Sequence, residues 1–567
     1  MGNGENRLQR FDRLTLLRLS GSGYQMGLQH GSLLREPIRQ GVVPRFGRYT
    51  EFAHLLRVLA PEQRRAIQEQ LDRQIFDRLE RFVPEAYRDE LRGIADGSGL
   101  DYGLVYRGNF LSELGQITAG RGGPATLEAT GGCTGFVVGG PATADGRLLH
   151  GKNTDYLGVG VWDRHPTLVF CRPDDGYAYV KVSSAGLIKC NSCMNEHGIT
   201  LGGHILFSSD TSQEGVAFTV FENEVMRRAR SLAEAIAIIE EQPRAGAFAF
   251  LVSDHKAGEA VALECSRSEV GKRPLEAGAL VMSNMCSASA SQVGNDLLLR
   301  GGVARNPISR FRRMTQMIDE QHGRIDLAQA AAFLGDHFDP ASGRERGVGH
   351  TIASIASVTS VVFVPELRQV WIGLGPAPAA NNRFIGFGCT PELEGSGPAV
   401  ALGELEGNAF SNDRCMQAVA RYGAASLAYD EHTEDPDAVI ALLEEARGID
   451  PAEPNYCRML ARFELRRGAA AAAERALAQA AEISGQSRAE EAENALLQGY
   501  ACDLQQRRPE AEECYRRVLG LREEGAEPLY ALNPLVLHSA EKRLSTPFQK
   551  GDVDATTVSF SFQSGWE

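Results

Sequence analysis

Between residues 134 and 284 the chain carries a series of short apolar runs, each bounded by turn residues. They are TGFVVGG, PTLVFC, YAYVKVS, GITLGGHILF, GVAFTVF, AFAFLVSD, AVALEC and GALVMSN. Runs this short and this apolar read as buried strands, and so many of them need layered sheets to cover their faces. Helical patterns interrupt them near 228–241 and 307–338, where apolar residues recur at helical spacing. SVTSVVFVPE and RQVWIGLG then read as a closing hairpin joined at Pro365-Glu366-Leu367. The expected class is a layered α+β fold.

The flanks have a different texture. Residues 1 to about 130 read as mainly helical, with EQRRAIQEQLDRQIFDRLERFVPEAYRDELRGIADGSG ending at Gly97-Ser98-Gly99, a helix stop. Ahead of it, LLRLSGSGYQMGLQHGSLLREPI reads as a strand, a glycine turn and a helix. A loop rich in Gly, Ala and Thr runs from Gly120 to Gly132. Residues 391–412, rich in Gly, Pro and Glu, read as a linker or edge. Residues 413–545 read as helical. There, ARFELRRGAAAAAERALAQA and GYACDLQQRRPEAEECYRRVLG resemble each other: Leu465 and Leu504 precede a turn, and Ala473 and Ala511 open the next helix. The offset of roughly 38 residues between them suggests paired antiparallel helices of the tetratricopeptide type; a plain helical bundle is the other reading. The tail TTVSFSFQSGWE alternates like a strand. The expected division is therefore 1–132, 133–390, 391–412, 413–545 and 546–567.

Bulk properties narrow the function. A chain of 567 residues, 43% hydrophobic and 23% charged, has the composition of a soluble globular protein with a sizeable core. The net charge of −14 disfavours nucleic acid or an anionic membrane as the main partner. No apolar stretch approaches the roughly 18 residues of a membrane span. Arg7, Arg10, Asp12 and Arg13 interrupt any apolar core of a signal peptide, so a cytoplasmic protein is expected. The 11 cysteines are scattered and odd in number, unlike a disulfide framework. Cys190-Asn-Ser-Cys193 lacks a second pair at zinc spacing, and no metal is expected. No phosphate loop or dinucleotide fingerprint appears, so no cofactor is implied.

The chemistry points to Gly131-Gly132-Cys133-Thr134-Gly135-Phe136, where a cysteine stands between a glycine pair and an apolar strand. Glycine tolerates the strained backbone that would bring the thiol onto the preceding carbonyl. Cleavage of the Gly132–Cys133 bond would free an α-amine beside the thiol, a base of pKa about 8. A structural cysteine at a strand start is the plain alternative. Asp145-Gly146 is a hairpin signal, and a hairpin there would bring Lys152 and Asp155 of Gly-Lys-Asn-Thr-Asp near Cys133.

The pattern C-T-x-F, then DG, then G-[R/K]-N-x-D resembles the cysteine Ntn-hydrolases: the penicillin acyltransferases and, more distantly, the bile salt and acid-amide hydrolases. Further motifs match in order. Ser184-Ala-Gly-Leu-Ile and Met194-Asn-Glu-His-Gly-Ile-Thr-Leu-Gly-Gly-His204 resemble the family's paired strands, and Val281-Met-Ser-Asn284 the strand end that supplies an asparagine. Pro307-Ile-Ser-Arg310-Phe resembles the Ser-Arg-Phe motif, and Gly21 to Gly31 the acyltransferase pro-segment. The resemblance covers roughly 14–380. It implies a four-layer αββα sandwich with a helical N-terminal pro-segment, followed here by the α-helical C-terminal domain. It also implies roles. Cys133 is the nucleophile, freed by cleavage after Gly132. Asp155 orients its α-amine, Asn284 donates to the oxyanion, Arg310 supports Asp155 and the substrate carbonyl, and Lys152 favours the thiolate.

Each residue also has a plain structural reading. Asp155 can cap a turn, Asn284 can end a strand, and Arg310 competes with Arg312 and Arg313 for the supporting role. The sequence departs from the pattern where Lys152 replaces an arginine, where His204 replaces an amide residue and either completes the oxyanion site or lines the substrate pocket, and where Met285 replaces a histidine. His350 is a lesser candidate. The expected function is an autoproteolytic cysteine amidohydrolase or N-acyltransferase acting on a small-molecule amide or acyl donor. The alternatives are a cysteine hydrolase without autoproteolysis, and a non-catalytic scaffold binding a protein partner through the C-terminal helices.

Overall fold

The computed structural model describes residues 7–52, 56, 59–120, 132–287, 295–300, 303–408, 413–431, 436–523, 525–527, 529–553 and 560. The chain forms two compact units. One comprises Met1–Leu297, Met314–Gly335 and Ala356–Ala409; the other comprises Leu298–Arg313, Asp336–Ile355 and Phe410–Glu567. The loop from 121 to 131 lies outside the described residues, as does the alternating tail except for Phe560.

The strands begin with β1 (Leu8–Phe11), β2 (Leu14–Gly21), β3 (Gly132–Val138), β4 (Leu149–Asp155), β5 (Pro166–Pro173) and β6 (Tyr179–Ser184). Next come β7 (Ser192–Asn195), β8 (Ile199–Ile205), β9 (Phe248–Asp254), β10 (Glu259–Cys265), β11 (Val270–Pro274) and β12 (Ala279–Met282). Last are β13 (Phe338–Asp339), β14 (Arg344–Glu345), β15 (Ser357–Val364), β16 (Gln369–Gly373), β17 (Phe384–Gly388) and β18 (Val400–Leu405).

Sixteen of these strands build two sheets in the first unit, one mixed and one antiparallel, while β13 and β14 pair with each other in the second unit. A nine-stranded sheet has the order β1-β2-β5-β6-β7-β8-β9-β10-β11, and a seven-stranded sheet the order β12-β3-β4-β15-β16-β17-β18. The β2–β5 pair is parallel, which requires a long crossover; residues 22–165 supply it. Strands β3, β4, β6, β8, β9 and β15 are buried along their whole lengths. Burial on both faces accounts for the apolar run of β9, whereas β4 (LHGKNTD) carries buried polar side chains. One apolar cluster joins Leu168, Phe170 and Val180 to Val361, Phe363 and Ile372. Another joins Val137, Leu280 and Met282 to Leu251, Ala260 and Ala262. The two sheets are thus packed through their side chains. The stretch 391–412 contributes β18, an edge strand exposed at every residue but its last.

Helices cover the sheets. Phe218–Arg228 lies on β7 and β8, Leu232–Glu240 on β9 and β10, and Leu327–Leu334 on β4 and β15. The run GVAFTVF, expected as a strand, supplies the start of the first of these helices. Its apolar stretch is too short to separate the two periodicities, and the apolar spacing continues through Val225 and Met226 at helical period.

The N-terminal segment is tied down by a close helix pair. Gly23–Leu33 starts at a capping box, in which Ser22 Oγ accepts from Gln25 N and Gln25 Oε1 accepts from Ser22 N. This helix packs directly on Glu85–Ser98. At Gly27 a Cβ would stand 1.9 Å from the Glu90 carbonyl oxygen, so the approach requires glycine.

The second unit is mainly helical. Its described helices include Asp413–Glu431, Pro436–Ile449, Pro454–Arg466, Ala470–Glu482, Arg488–Leu504, Arg508–Gly520 and Pro534–Ser545, and each of these packs on the next. Leu465 and Leu504 lie at the ends of two of them, and Ala473 and Ala511 are buried in the helices that follow. Phe560 packs on Tyr422, with ring centroids 5.0 Å apart. The buried Arg346 bonds Glu453 and Glu490, and Arg458 shares Glu490 at 2.6 Å. No helix among the described residues is long and apolar enough to cross a membrane.

Candidate active site

Cys133 is the second residue of β3, and β4 runs back beside it. The register pairs Gly132 with Asp155, Cys133 with Thr154 and Gly135 with Lys152. The connection passes through Gly146, whose φ of 79° is one that glycine accepts readily. On its other edge β3 pairs with β12, and Met282 lies opposite Gly135. Asn284 follows that strand directly. One hairpin and one neighbouring strand therefore bring Cys133, Lys152, Asp155 and Asn284 together.

The contacts are specific. The Cys133 N–H donates to Asn284 Oδ1 at 2.6 Å, and Asn284 Nδ2 donates to the Ile205 carbonyl at 2.8 Å. Lys152 Nζ stands 3.5 Å from Cys133 Sγ and donates to Thr154 Oγ1 at 3.0 Å. Asp155 Oδ1 accepts from Ser357 Oγ at 2.6 Å. Next to it in β4, Asn153 Nδ2 donates to the Leu334 carbonyl and its Oδ1 accepts from Ser360, both at 2.7 Å. Cys133, Lys152, Asp155, Asn284 and His204 are each at most 5% exposed. Buried polar groups in this number are held by hydrogen bonds, which fix their rotamers.

His204 lies in β8 and faces β3: a Cβ on Gly135 would stand 2.9 Å from its ring. Its Nδ1–H donates to the Gly202 carbonyl at 3.2 Å. Arg310 is buried on the helix Arg305–Glu320, in the segment that belongs to the second unit, and its Nε donates to Asn306 Oδ1 at 2.8 Å. The neighbouring arginines are engaged elsewhere, Arg312 with Glu527 and Arg313 with Asp336. His350 also belongs to the second unit.

Sequence reasoning passed over three buried residues near the thiol. Lys189 donates through Nζ to Ser112 Oγ at 2.6 Å and lies 4.9 Å above the Tyr156 ring. Burial opposes its charge, but Tyr156, Glu113, Glu222 and Cys133 together raise its pKa. Glu222, on the helix Phe218–Arg228, accepts from the Cys190 N–H at 3.1 Å. Burial pushes its carboxyl up to about 7, against the pull of Lys189 and Lys152. Asn191 Nδ2 reaches Thr154 Oγ1 at 3.5 Å. Asn191 sits inside the Cys190–Cys193 motif, whose thiols are both free and buried. No group of three or more metal-ligating side chains is found among the described residues.

This arrangement has the parts of a thiol nucleophile. It offers a sulfur beside an ammonium group, a backbone nitrogen held by a side-chain amide, and a nearby carboxylate.

The family model described as acyl-coenzyme A:6-aminopenicillanic acid acyl-transferase matches residues 142–377. An uncharacterized protein of Archaeoglobus fulgidus is 27% identical over 255 residues, 43% of this chain and 42% of that one. Protein dcd1B of Dictyostelium discoideum is 24% identical over 276 residues, 46% of this chain and 52% of that one. The chain spans about half the length of these relatives. Two solved structures are also similar. The N-acylethanolamine-hydrolyzing acid amidase ortholog of Caenorhabditis elegans has 17% identity and a TM-score of 0.30, over 41% of this chain and 94% of that one. A mutant of the conjugated bile acid hydrolase from Clostridium perfringens has 16% identity and a TM-score of 0.32, over 48% of this chain and 96% of that one.

Proposed function

We propose that this chain is an Ntn-type cysteine amidohydrolase or N-acyltransferase acting on a small-molecule amide or acyl donor. The observation that carries the reading is the double hold on one residue. Asn284 takes the Cys133 N–H at 2.6 Å while Lys152 stands 3.5 Å from its sulfur. A structural cysteine needs neither. The match of the acyltransferase family model to 142–377 supports the reaction class.

Cleavage of the Gly132–Cys133 bond leaves the Cys133 nitrogen as an α-amine, with Asn284 beside it and Asp155 next along β4 from Thr154, the residue that Cys133 pairs with. The amine takes the thiol proton as sulfur attacks the amide carbonyl. Asn284 turns its N–H toward the oxyanion. The C–N bond breaks, the proton passes to the leaving amine, and a thioester on Cys133 remains. Water then releases the acid, or a second amine takes the acyl group. His204 lines the substrate pocket.

Residues 1–132 act as the pro-segment, and 133–390 as the catalytic domain of an αββα sandwich. After the linker region 391–412, the tetratricopeptide-like helices of 413–545 serve as a docking module for a protein partner, followed by the tail 546–567. The two packed sheets and the helices on them support the sandwich reading.

Acyl-enzyme trapping tests the reaction. A p-nitrophenyl acyl ester should add its acyl mass to the Cys133 peptide and release one equivalent of nitrophenol in a burst. Labelling elsewhere in the chain, unaffected by Cys133→Ala, would refute the proposal.

A further inference from the structure

Lys152 is fully buried on a strand, and an ammonium there needs a frame to keep it against the sulfur. Its Nζ lies 3.5 Å from Cys133 Sγ and 3.0 Å from Thr154 Oγ1. Thr154 is in turn reached by Asn191 Nδ2 at 3.5 Å. Asn191 comes from a turn that is pinned at several points. The Ile188 N–H donates to Asn109 Oδ1 at 2.8 Å, and the Cys190 N–H donates to Glu222 Oε2 at 3.1 Å. The Gly203 N–H donates to the Asn191 carbonyl at 3.0 Å.

Gly203 is where Asn191 and Glu222 meet. A Cβ there would stand 2.3 Å from Glu222 Oε1 and 3.1 Å from Asn191 Oδ1, so any other residue would push both away. Both oxygens are buried without a hydrogen-bond partner among the described residues. Buried acceptors left as bare lone pairs are unfavourable. Protonation of Glu222 leaves fewer such lone pairs, and burial raises its carboxyl.

We propose that Asn191, anchored by Glu222 at Gly203, is a positioning residue that braces Thr154 and Lys152 against the Cys133 sulfur. The inference rests on reading Cys133 as the nucleophile. It concerns how the ammonium is held, not which acyl group is transferred. Asn191 acts through Thr154, and Glu222 acts through the backbone that carries Asn191.

The test is iodoacetamide alkylation of Cys133 in the full chain, followed by mass spectrometry of its peptide across pH. Asn191→Ala and Thr154→Val should each move the alkylation profile to higher pH and slow the reaction at neutral pH by roughly tenfold, the effect of losing a neighbouring ammonium. Asn191→Gln should recover part of the rate. The same two substitutions made in a Lys152→Met background should change nothing further, because the group they position is gone. Melting temperatures report whether each variant folds, and Thr154→Val, which keeps volume and strand preference, reads the relay if Asn191→Ala does not fold. Unshifted profiles, or equal shifts with and without Lys152, overturn the inference. Shifts that depend on Lys152, in a protein that forms no acyl-enzyme, uphold the relay and refute the proposed reaction instead.

Discussion

Asn284 Oδ1 accepts the Cys133 N–H at 2.6 Å, across 151 residues of sequence. The contact places a side-chain amide on the nitrogen that becomes the α-amine if the chain is cut before Cys133. Removing it should affect two steps at once. Asn284→Ala is expected to slow cleavage and to lower kcat by roughly 100- to 1,000-fold, the cost of one lost oxyanion donor. Steady-state kinetics on the variant check this. A loss confined to KM would assign Asn284 to substrate binding alone.

Lys152 should not be replaceable by arginine. Its ammonium is enclosed by Cys133 and Thr154, and Gly202 lies so close that a Cβ there would stand 2.9 Å from Lys152 Cδ. A planar guanidinium does not reproduce the point contact that the compact ammonium makes with the sulfur. Lys152→Met and Lys152→Arg are both expected to lose at least about tenfold in acylation rate. Stopped-flow measurement of nitrophenol release compares them. Full activity in Lys152→Arg would contradict the account.

The N-terminal helix pair makes a prediction about stability. Gly27→Ala puts a methyl 1.9 Å from the Glu90 carbonyl oxygen, and the helices must separate. Overpacking of this kind costs about 1–3 kcal/mol. A lower thermal midpoint, with Gly448→Ala as a control for general effects, is the expected result.

Two buried histidines set the acid limit. Burial, followed by Lys181 for His30 and Lys152 for His150, holds each ring down to about 3 from 6.5. Their folded pKa values lie below the unfolded ones, so the stability they contribute is present above about pH 6.5 and is lost as pH falls toward 3. Each accounts for roughly 2–3 kcal/mol between pH 6.5 and 4.5. Glu222 has the opposite sign. Its carboxyl is raised to about 7 from 4.5, so its contribution is present below 4.5 and is lost as pH rises through 7. Thermal midpoints measured from pH 7 to 4 should fall, and less steeply in His30→Gln.

Parts of this site were legible from short-range signals. Asp145-Gly146 announced the hairpin, and the hairpin fixed Lys152 and Asp155 relative to Cys133. Asn284 was legible as the end of an apolar strand in a known order of motifs. The remainder was hidden for physical reasons. Lys189, Asn191 and Glu222 are polar residue types that usually face solvent, and nothing local marks them as buried. Asn191 was masked by its flanking cysteines, which drew attention as a metal motif. Glu222 lies on a helix whose first turn, Phe218 to Phe221, reads as a strand. Its partner Gly203 looked like an ordinary strand glycine until the helix was in place.

The most direct test is N-terminal mapping of the purified full chain by mass spectrometry, alongside Cys133→Ala. The account predicts a fragment beginning at Cys133, and an uncut chain without acyl-enzyme in Cys133→Ala. An uncut wild-type chain whose thiol-dependent activity is abolished by Cys133→Ala would point to a cysteine hydrolase that works without self-cleavage. An uncut chain whose activity survives Cys133→Ala unchanged would contradict the account outright.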